Sequence, residues 1–299
     1  MKGIVLAGGS GTRLYPLTVS TSKQLLPVYD KPMVFYPLSV LMEAGIRDIL
    51  IISTPSDIGK FKQLLGDGSD FGIKISYEVQ PSPDGLAQAF IIGEKFIEGD
   101  ACALILGDNL FHGNDFNHML REAVIDAERG KSTIFGYPVK NPQRFGVVEF
   151  DSEGNVIGIE EKPVCPKSDY CVTGLYFYDK NVVDYSKTIV PSKRNELEIT
   201  DLNRIYLKKK SLKVNLLDKS FKWWDTGTFD SLIEASDYVH DHYVRTGCTI
   251  NSPEQVAFNQ DWISKEKMLA LSVRYGNSPY GAYLKKIAEG KSNEKNNDN

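Results

Sequence analysis

Apolar positions in the first third of the chain alternate between two patterns. Short continuous apolar runs predict buried strands, at residues 4–6, 49–53, 74–78 and 103–106. Between these runs apolar residues recur at helical spacing, at residues 37–44, 58–65 and 86–96. Strands that alternate with helices predict an α/β fold with a doubly wound, mostly parallel sheet. Ligands bind such sheets at the carboxyl ends of the strands, so the loops after residues 6, 78 and 106 are candidate functional loops.

The middle of the chain has a different pattern. Residues 146–150, 156–160 and 172–178 are rich in strand-forming side chains and lie close together, with turn residues at 151–155. This pattern predicts an antiparallel, β-rich insertion that covers one end of the sheet.

The remaining third predicts one further strand, several helices and a polar tail. Residues 213–217 have the apolar character of a strand, and residues 223–229 are predicted to form a loop. Helical spacing occurs at residues 197–207, 231–243, 261–271 and 280–288. Residues 291–299 are polar and of low complexity, which predicts disorder.

Composition narrows the class of protein. The chain has 299 residues, 41% of them hydrophobic, and that length suggests about two domains, or one large α/β domain with an appendage. A net charge of −4 excludes a generally basic nucleic-acid-binding surface. No apolar run approaches the ~20 residues that span a bilayer, and the N-terminus lacks a signal-peptide layout, so we expect a cytoplasmic protein without a membrane anchor. The four cysteines form no CxxC pair, which favours free thiols.

The strongest local signal is a glycine-rich loop directly after the first strand. Its sequence, LAGGSGTRL, has three glycines in four positions and ends on Arg13. Glycines allow the backbone to approach an anion closely, so we interpret the loop as a phosphate cradle rather than a plain turn. It lacks the Gly-Lys-Ser/Thr of a Walker A loop and the third glycine of the dinucleotide fingerprint. Lys23 follows ten residues later and is expected to converge on the same polyanion, although a solvated surface lysine is the commoner case.

Four more segments carry candidate chemistry. The stiff loop QPSPDG, residues 80–85, precedes a helix and either contacts the edge of a nucleobase or is a rigid connector. Asp108 follows an apolar strand, and with Asp225 it forms a candidate Mg²⁺ pair, although each aspartate alone is more often a turn or cap residue. The segment EEKP offers Glu161 and Lys162 to a sugar phosphate, although an exposed Glu-Lys pair is the commoner reading.

Taken in order, these segments are recognisable. The blocks LAGGSGTRL, SKQLLPVYDKP, QPSPDGLAQAF, LGDN, RFGVVEF, EEKP, VTGLYFYD, ELEITD and WWDTGT closely resemble the glucose-1-phosphate thymidylyltransferase family over about residues 1–290. The resemblance implies a Rossmann-like sheet of the nucleotide-diphospho-sugar transferase type, with an antiparallel sugar-binding part. It implies a catalytic domain at residues 1–240, a C-terminal helical appendage at 241–290 and a disordered tail at 291–299.

The resemblance also implies a reaction and a set of site residues. dTTP and α-D-glucose 1-phosphate would give dTDP-glucose and pyrophosphate by direct displacement, with Mg²⁺ as the cofactor. Catalytic roles fall on Arg13, Lys23, Asp108 and Lys162. Nucleotide binding falls on Gly8, Gly11, Thr12, Arg13, Lys23, Gln24, Gln80, Gly85 and Asp108. Sugar-phosphate binding falls on Gly146, Glu161, Lys162 and Val172, and metal binding on Asp108 and Asp225.

One position departs from the family pattern, and several properties rest on the family alone. Many relatives have Tyr where this chain has Phe145, so one sugar contact from a hydroxyl is missing here. The resemblance implies a homotetramer, a dTDP-rhamnose feedback inhibitor and a place in dTDP-L-rhamnose synthesis. The alternatives are a uridylyl- or other nucleotidyltransferase acting on a different sugar phosphate, and a catalytically silent sugar-nucleotide sensor.

Overall fold

The structure, a computed structural model, describes residues 1–290, and the predicted disordered tail lies outside the described residues. The strands within this range are β1 (Lys2–Ala7), β2 (Pro27–Val28), β3 (Lys31–Pro32), β4 (Asp48–Ser53), β5 (Lys74–Val79), β6 (Cys102–Leu106), β7 (Asn109–His112), β8 (Ser132–Pro138), β9 (Gly146–Phe150), β10 (Val156–Glu161), β11 (Tyr170–Tyr178), β12 (Leu212–Leu216) and β13 (Lys222–Asp225).

The helices lie mainly between the strands and after the last one. They are α1 (Phe35–Glu43), α2 (Ile58–Leu65), α3 (Gln88–Ile92), α4 (Glu94–Ile97), α5 (Phe116–Glu128), α6 (Val182–Lys187), α7 (Ile199–Lys208), α8 (Phe229–Thr246), α9 (Pro253–Asn259), α10 (Lys265–Arg274) and α11 (Pro279–Ala288). Within the part of the chain that the structure describes, no helix is long and apolar enough to cross a membrane.

A nine-stranded mixed sheet forms the centre of the molecule. Strands β6, β1, β4 and β5 are adjacent and parallel. Successive residues of β1 face opposite sides of the sheet, so Ile4 and Val5 belong to two different buried clusters. Both are fully buried, as expected for a parallel strand covered by helices on each face. The predicted α/β class is therefore confirmed.

The antiparallel segment extends the main sheet. Strand β11 pairs with β6 and β8 in antiparallel fashion, β9 pairs with β10, and β12 joins β8 in parallel. The sequence predicts that these strands cover one end of the sheet, whereas the structure places β11 inside the sheet, next to β6. The parallel and antiparallel strands therefore share one continuous hydrogen-bonded framework.

Two local predictions differ from the structure, and several elements were not predicted. Residues 86–96 form two short helices, α3 and α4, because Gly93 packs closely against Ile4 and Leu50 of the sheet, where a side chain would crowd them. The segment predicted as a loop at 223–229 begins with β13, which pairs with β7. Helices α5, α6 and α9 and strands β2, β3, β7 and β8 have no counterpart among the predicted elements.

The C-terminal helices share the core of the sheet. Met268 of α10 and Leu284 of α11 are fully buried in the same cluster as Val5 and Leu38. Helix α8 runs through residue 240, so the predicted domain boundary falls within a helix. The division into a catalytic domain and an appendage stays a prediction.

Candidate active site

A cavity of about 470 Å³ opens at the carboxyl ends of the parallel strands. Every position that the sequence analysis assigns to a site lines this cavity: Gly8, Gly11, Thr12, Arg13, Lys23, Gln24, Gln80, Gly85, Asp108, Gly146, Glu161, Lys162, Val172 and Asp225. The glycine-rich loop, the two aspartates and the proposed sugar residues thus surround one space. The individual role of each residue stays a prediction.

The glycine-rich loop needs its glycines for two different reasons. Gly9 and Gly11 have φ angles of 93° and 59°, in the left-handed region that side chains disfavour. Gly8 has no such angle, but a side chain there would collide with Gln80 Oε1. The loop leads into a single 3₁₀ turn, Thr12–Leu14, on which Leu14 is buried and Arg13 is exposed. Arg13 forms no ion pair with any residue of 1–290, so its guanidinium is available to a ligand.

Strand pairing brings the two aspartates together. Strands β7 and β13 run antiparallel, and Asp225 lies opposite Asn109, the residue after Asp108. Thr226 completes the connection: its backbone N–H and its hydroxyl donate to the carbonyl oxygen of Asp108 at 3.1 and 2.7 Å. Because Thr226 is fully buried, this double hydrogen bond is shielded from water. The fold therefore juxtaposes two carboxylates that are far apart in the chain.

Lys23 neutralises one of these aspartates. Its ammonium donates to Asp108 Oδ2 in an ion pair. Burial would lower the pKa of Lys23, but Asp108 and then Asp225 outweigh burial and raise it. Burial would likewise raise the pKa of Asp108, but the Lys23 ammonium holds it below its usual range. Both groups therefore carry charge at neutral pH, and Lys23 cannot act as a general base.

Asp225 is in a different electrostatic state. Burial, and then the neighbouring Asp108 carboxylate, raise the pKa of Asp225 to about 6. Its carboxylate receives no hydrogen bond from residues 1–290. Carboxylate oxygens are preferred ligands of hard divalent cations, and a cation between the two aspartates would offset their repulsion. The donor set therefore fits a divalent metal ion.

Such a metal site would be incomplete without substrate. No group of three or more His, Cys, Asp or Glu side chains that could hold a metal occurs in residues 1–290. Mg²⁺ in nucleotide enzymes typically takes one or two carboxylates and completes its shell with phosphate oxygens and water. A pair of aspartates next to a phosphate cradle matches that chemistry.

Asn109 fixes the orientation of the Asp108 carboxylate. Its Oδ1 accepts hydrogen bonds from Gly174 N at 3.0 Å and from Trp223 Nε1 at 2.7 Å. Its Nδ2 must therefore point the other way, where it donates to Asp108 Oδ1 at 3.1 Å. Asn109 is not among the predicted site residues, although it also lines the cavity.

The loop of residues 80–85 closes the end of the cavity next to Gly8. Gln80 is buried, with 5% of its surface exposed. Gly85 has a φ of 108°, and a side chain there would collide with the backbone of Leu197. Leu197 N donates to Asp84 O at 2.7 Å, which fastens the loop to the segment before α7. The loop is thus held rigidly, with Gln80 beneath it.

The opposite end of the cavity contains the proposed sugar residues. Glu161 ends β10 opposite Gly146 of β9, where any side chain would crowd the Glu161 carboxylate. Thr200 donates a hydrogen bond to Glu161, and Lys162 Nζ lies 3.9 Å from it. Lys162 has a φ of 45°, an unfavourable backbone conformation for a residue with a side chain.

Two arginines that line the cavity have no counterpart in the sequence prediction. Arg194 forms ion pairs with Glu161, Glu196 and Glu198 at 3.4, 3.2 and 2.8 Å. Arg144 precedes Phe145 at the cavity wall, and its charge partly opposes the rise in the pKa of Asp225 that burial and Asp108 cause. No local signal identifies Arg194, since charged residues in a Pro- and Ser-containing loop are usually solvated.

Comparison with known proteins agrees with this geometry. The family model described as nucleotidyl transferase matches residues 2–242. Glucose-1-phosphate thymidylyltransferase of Neisseria meningitidis is 57% identical over 96% of this chain and 99% of its own length. The chain belongs to the glucose-1-phosphate thymidylyltransferase family. The enzyme of that name from Xanthomonas campestris is 54% identical over 96% of this chain and 97% of its own. The family resemblance inferred from the sequence is confirmed, and the protein is a nucleotidyltransferase.

Solved structures of related enzymes share the fold. A Bacillus anthracis structure described as a glucose-1-phosphate thymidylyltransferase with sucrose has a TM-score of 0.74 and 41% identity, covering 81% of this chain and 96% of that one. A UDP-glucose pyrophosphorylase complexed with UDP-glucose has a TM-score of 0.69 and 26% identity, covering 80% and 98%. Nucleotidyltransferases of this family typically use a divalent metal.

Proposed function

We propose that this protein transfers a thymidylyl group from dTTP to α-D-glucose 1-phosphate, giving dTDP-glucose and pyrophosphate. A phosphate oxygen of glucose 1-phosphate attacks the α-phosphorus of dTTP, and the bond from that phosphorus to the bridging oxygen of the leaving pyrophosphate breaks. The observation that carries the proposal is the single cavity in which a phosphate cradle, two aspartates and a sugar-side carboxylate meet.

The nucleophile needs no general base. The second pKa of a phosphate monoester is about 6, so glucose 1-phosphate is mostly a dianion at neutral pH. Lys23 stays protonated in its ion pair with Asp108, which agrees with a role in charge compensation rather than proton transfer. The obstacle to reaction is repulsion between two anions, because each pair of unit charges ~4 Å apart costs about 4 kcal/mol at an effective dielectric near 20.

Charge neutralisation and alignment are therefore the work of the site. We assign Arg13 to the phosphates of the nucleotide, where it stabilises charge that develops on the leaving pyrophosphate. Lys162 binds the incoming sugar phosphate, and Glu161 accepts hydrogen bonds from sugar hydroxyls. Gln80 and Gly85 bind the base. The remaining predicted positions, Gly8, Gly11, Thr12, Gln24, Gly146 and Val172, shape the cavity around both substrates.

We propose Mg²⁺ as the divalent metal, held by Asp108 and Asp225. When bound, it would neutralise and align phosphate oxygens of the nucleotide. The chain's own contribution is to keep both carboxylates ionised or readily ionised and facing the cavity. Lys23 and Asn109 do this for Asp108 by an ion pair and a hydrogen bond.

The experiment that tests the function is a pyrophosphate-release assay on purified protein with dTTP, glucose 1-phosphate and Mg²⁺. We expect turnover that requires both substrates and stops when EDTA removes the metal. With chirally labelled dTTP we expect inversion at the α-phosphorus, as direct displacement requires. Absence of pyrophosphate release would refute the proposal, and net retention would exclude direct displacement.

A second candidate is uridylyl transfer, supported by the fold shared with a UDP-glucose pyrophosphorylase. Thymine differs from uracil by one methyl group, which a pocket distinguishes only ~10- to 200-fold. We therefore expect measurable use of UTP, with a lower kcat/KM than for dTTP. The ranking of dTTP above UTP rests on the names of the relatives that are 46–57% identical.

We also propose, on the family resemblance, a cytoplasmic homotetramer that serves dTDP-L-rhamnose synthesis and is inhibited by dTDP-rhamnose. Light scattering coupled to size-exclusion chromatography tests the tetramer, for which we expect a mass four times the 33.4 kDa of the chain. Inhibition by dTDP-rhamnose that is not competitive with dTTP would support a second binding site.

A further inference from the structure

A chain of hydrogen bonds lies behind Gln80, on its side away from the glycine-rich loop. Gln80 Nε2 donates to Gln88 Oε1 at 2.8 Å, and Gln88 Nε2 donates to Asp84 Oδ2 at 2.9 Å. Ser82 donates its hydroxyl hydrogen to the same carboxylate oxygen. Gln80 lines the cavity, whereas Gln88 and Asp84 do not. Two residues outside the cavity are therefore connected to the side chain assigned to the base.

The direction in which these hydrogen bonds are donated follows from the chemistry of Asp84, the last residue of the series. An ionised carboxylate only accepts hydrogen bonds, so Gln88 must turn its NH₂ group toward Asp84. The carbonyl oxygen of Gln88 then faces Gln80, and it can only accept as well. Gln80 must in turn give its NH₂ group to Gln88. The orientation of a glutamine amide, otherwise ambiguous, is thus fixed by the hydrogen-bond network.

The consequence appears at the cavity. Gln80 Oε1 faces Gly8, where a side chain would collide with it, and it receives no hydrogen bond from residues 1–290. The buried Gln80 therefore presents an acceptor to the ligand. Thymine and uracil carry a donor at this edge, the N3–H group, whereas N3 of cytosine is itself an acceptor. Two acceptors that face each other form no hydrogen bond, and each also loses its hydrogen bonds to water. The resulting desolvation cost disfavours cytosine.

We propose that Asp84 and Gln88 are positioning residues that set base specificity, because they lock the Gln80 amide with its oxygen toward the cavity and so select pyrimidines with an N3–H group over cytosine. This inference rests on the proposed function, in which Gln80 contacts the base. It assigns the selection to residues that do not touch the nucleotide.

Two substitutions test the direction of the hydrogen bonds that connect Gln80, Gln88 and Asp84. Asp84→Asn is nearly isosteric but lets position 84 either donate or accept, so the amide of Gln80 is no longer held in one orientation. Gln88→Lys places a donor opposite Gln80 and an ammonium beside Asp84, which turns the Gln80 oxygen inward and its NH₂ group toward the base. We expect the ratio of kcat/KM for dTTP over dCTP to fall about 10-fold in Asp84→Asn and about 100-fold in Gln88→Lys.

Controls separate this effect from damage to the loop. The ratio of kcat/KM for dTTP over UTP should stay within about 2-fold in both variants, because both bases carry N3–H. Ser82→Ala removes a hydrogen bond to the same carboxylate without changing its acceptor character, so it should leave the dTTP/dCTP ratio unchanged. A merely structural role would lower kcat/KM for all nucleotides together. Circular dichroism melts confirm that each variant folds.

The outcomes distinguish this inference from the proposed function. If turnover of dCTP is too slow to detect, dCTP is tested as a competitive inhibitor of dTTP. Its inhibition constant is then compared between wild-type protein and variants in place of kcat/KM for dCTP. Wild-type protein that fails to use dTTP refutes the proposed function. Wild-type protein that uses dTTP, with folded variants that keep the wild-type dTTP/dCTP ratio, overturns the role of Asp84 and Gln88 and leaves the proposed function standing.

Discussion

Replacement of Thr226 by valine tests whether the hydrogen bonds that join the two aspartate segments set the geometry of the site. The hydroxyl of Thr226 donates to Asp108 O at 2.7 Å, and the residue is fully buried. Thr226→Val exchanges that hydroxyl for a methyl group of similar size. The backbone N–H of residue 226 keeps its own bond to Asp108 O at 3.1 Å, so the carbonyl oxygen is not left without a donor.

The magnitude follows from one lost hydrogen bond. A net loss of about 1 kcal/mol in the free energy of unfolding is expected, because the acceptor keeps one partner. In a chain of 299 residues that corresponds to a fall in Tm of about 1.5–2 °C. We expect the relative loss in kcat to be larger than the relative loss in stability. The methyl group crowds the carbonyl oxygen of Asp108 and shifts that residue by a fraction of an ångström while the backbone hydrogen bond persists. Because a displacement of 1 Å costs up to ~100-fold in rate, we expect kcat to fall by about 10-fold.

Two measurements check this prediction. Urea denaturation gives the loss of stability, and pyrophosphate release as a function of Mg²⁺ concentration gives kcat and the metal requirement. Ser272→Ala is the matched control, because the buried Ser272 hydroxyl donates to Leu269 O at 2.7 Å within α10, away from the cavity. It should lose similar stability and keep its kcat. If Thr226→Val loses stability but retains wild-type kcat and metal requirement, the double hydrogen bond does not align the aspartates.

Two other substitutions have outcomes that the structure fixes in sign. Gly85→Ala places a Cβ against the backbone of Leu197 at a φ of 108°. We expect a loss of more than ~2 kcal/mol in the free energy of unfolding and a higher KM for dTTP. Gly99→Ala is the control, because Gly99 has a φ of 76° with open space around it and its replacement should cost only about 1 kcal/mol. Equal losses would show that the close contact is unimportant. Burial, and then the neighbouring His242, lower the pKa of His112 to about 4. The unfolded state therefore binds more protons between about pH 4 and 6.5, and wild-type stability falls as the pH drops through that range. His112→Gln should reduce the loss by roughly 2 kcal/mol in urea titrations at pH 7.5 and 4.5, and parallel pH profiles would contradict the assignment.

The sequence alone predicted the parts of the site that local chemistry encodes. Alternating strands and helices place the loops after β1 and β6 at one edge of the sheet, and the glycine content of the first loop indicates an anion. Asp108 stands out because a carboxylate follows an apolar strand. Each of these signals is contained in a few consecutive residues, so a short-range pattern is sufficient to detect it.

The rest of the site depends on contacts between distant segments. The approach of Asp225 to Asp108 requires the pairing of β13 with β7, in a stretch for which a loop was predicted. Arg194 reaches the cavity from a polar loop, held by glutamates of two different segments. The hydrogen-bond direction through Gln88 depends on which atoms face each other, and a residue pattern does not contain that information. The sequence predicts Asp225 as a partner of Asp108, but only the folded chain shows the contacts that bring these side chains together.

The position of β11 limits how such an enzyme can acquire a new acceptor. Residues 175–178 of this strand pair with β6, and its first residues pair with β8 and β9. One strand therefore connects the two ends of the cavity that we assign to the nucleotide and to the sugar. Neither end of the cavity can move as an independent rigid body without breaking the backbone hydrogen bonds of β11. Divergence toward other sugars should therefore proceed by exchange of individual side chains on an unchanged scaffold, and insertions should be confined to the rim.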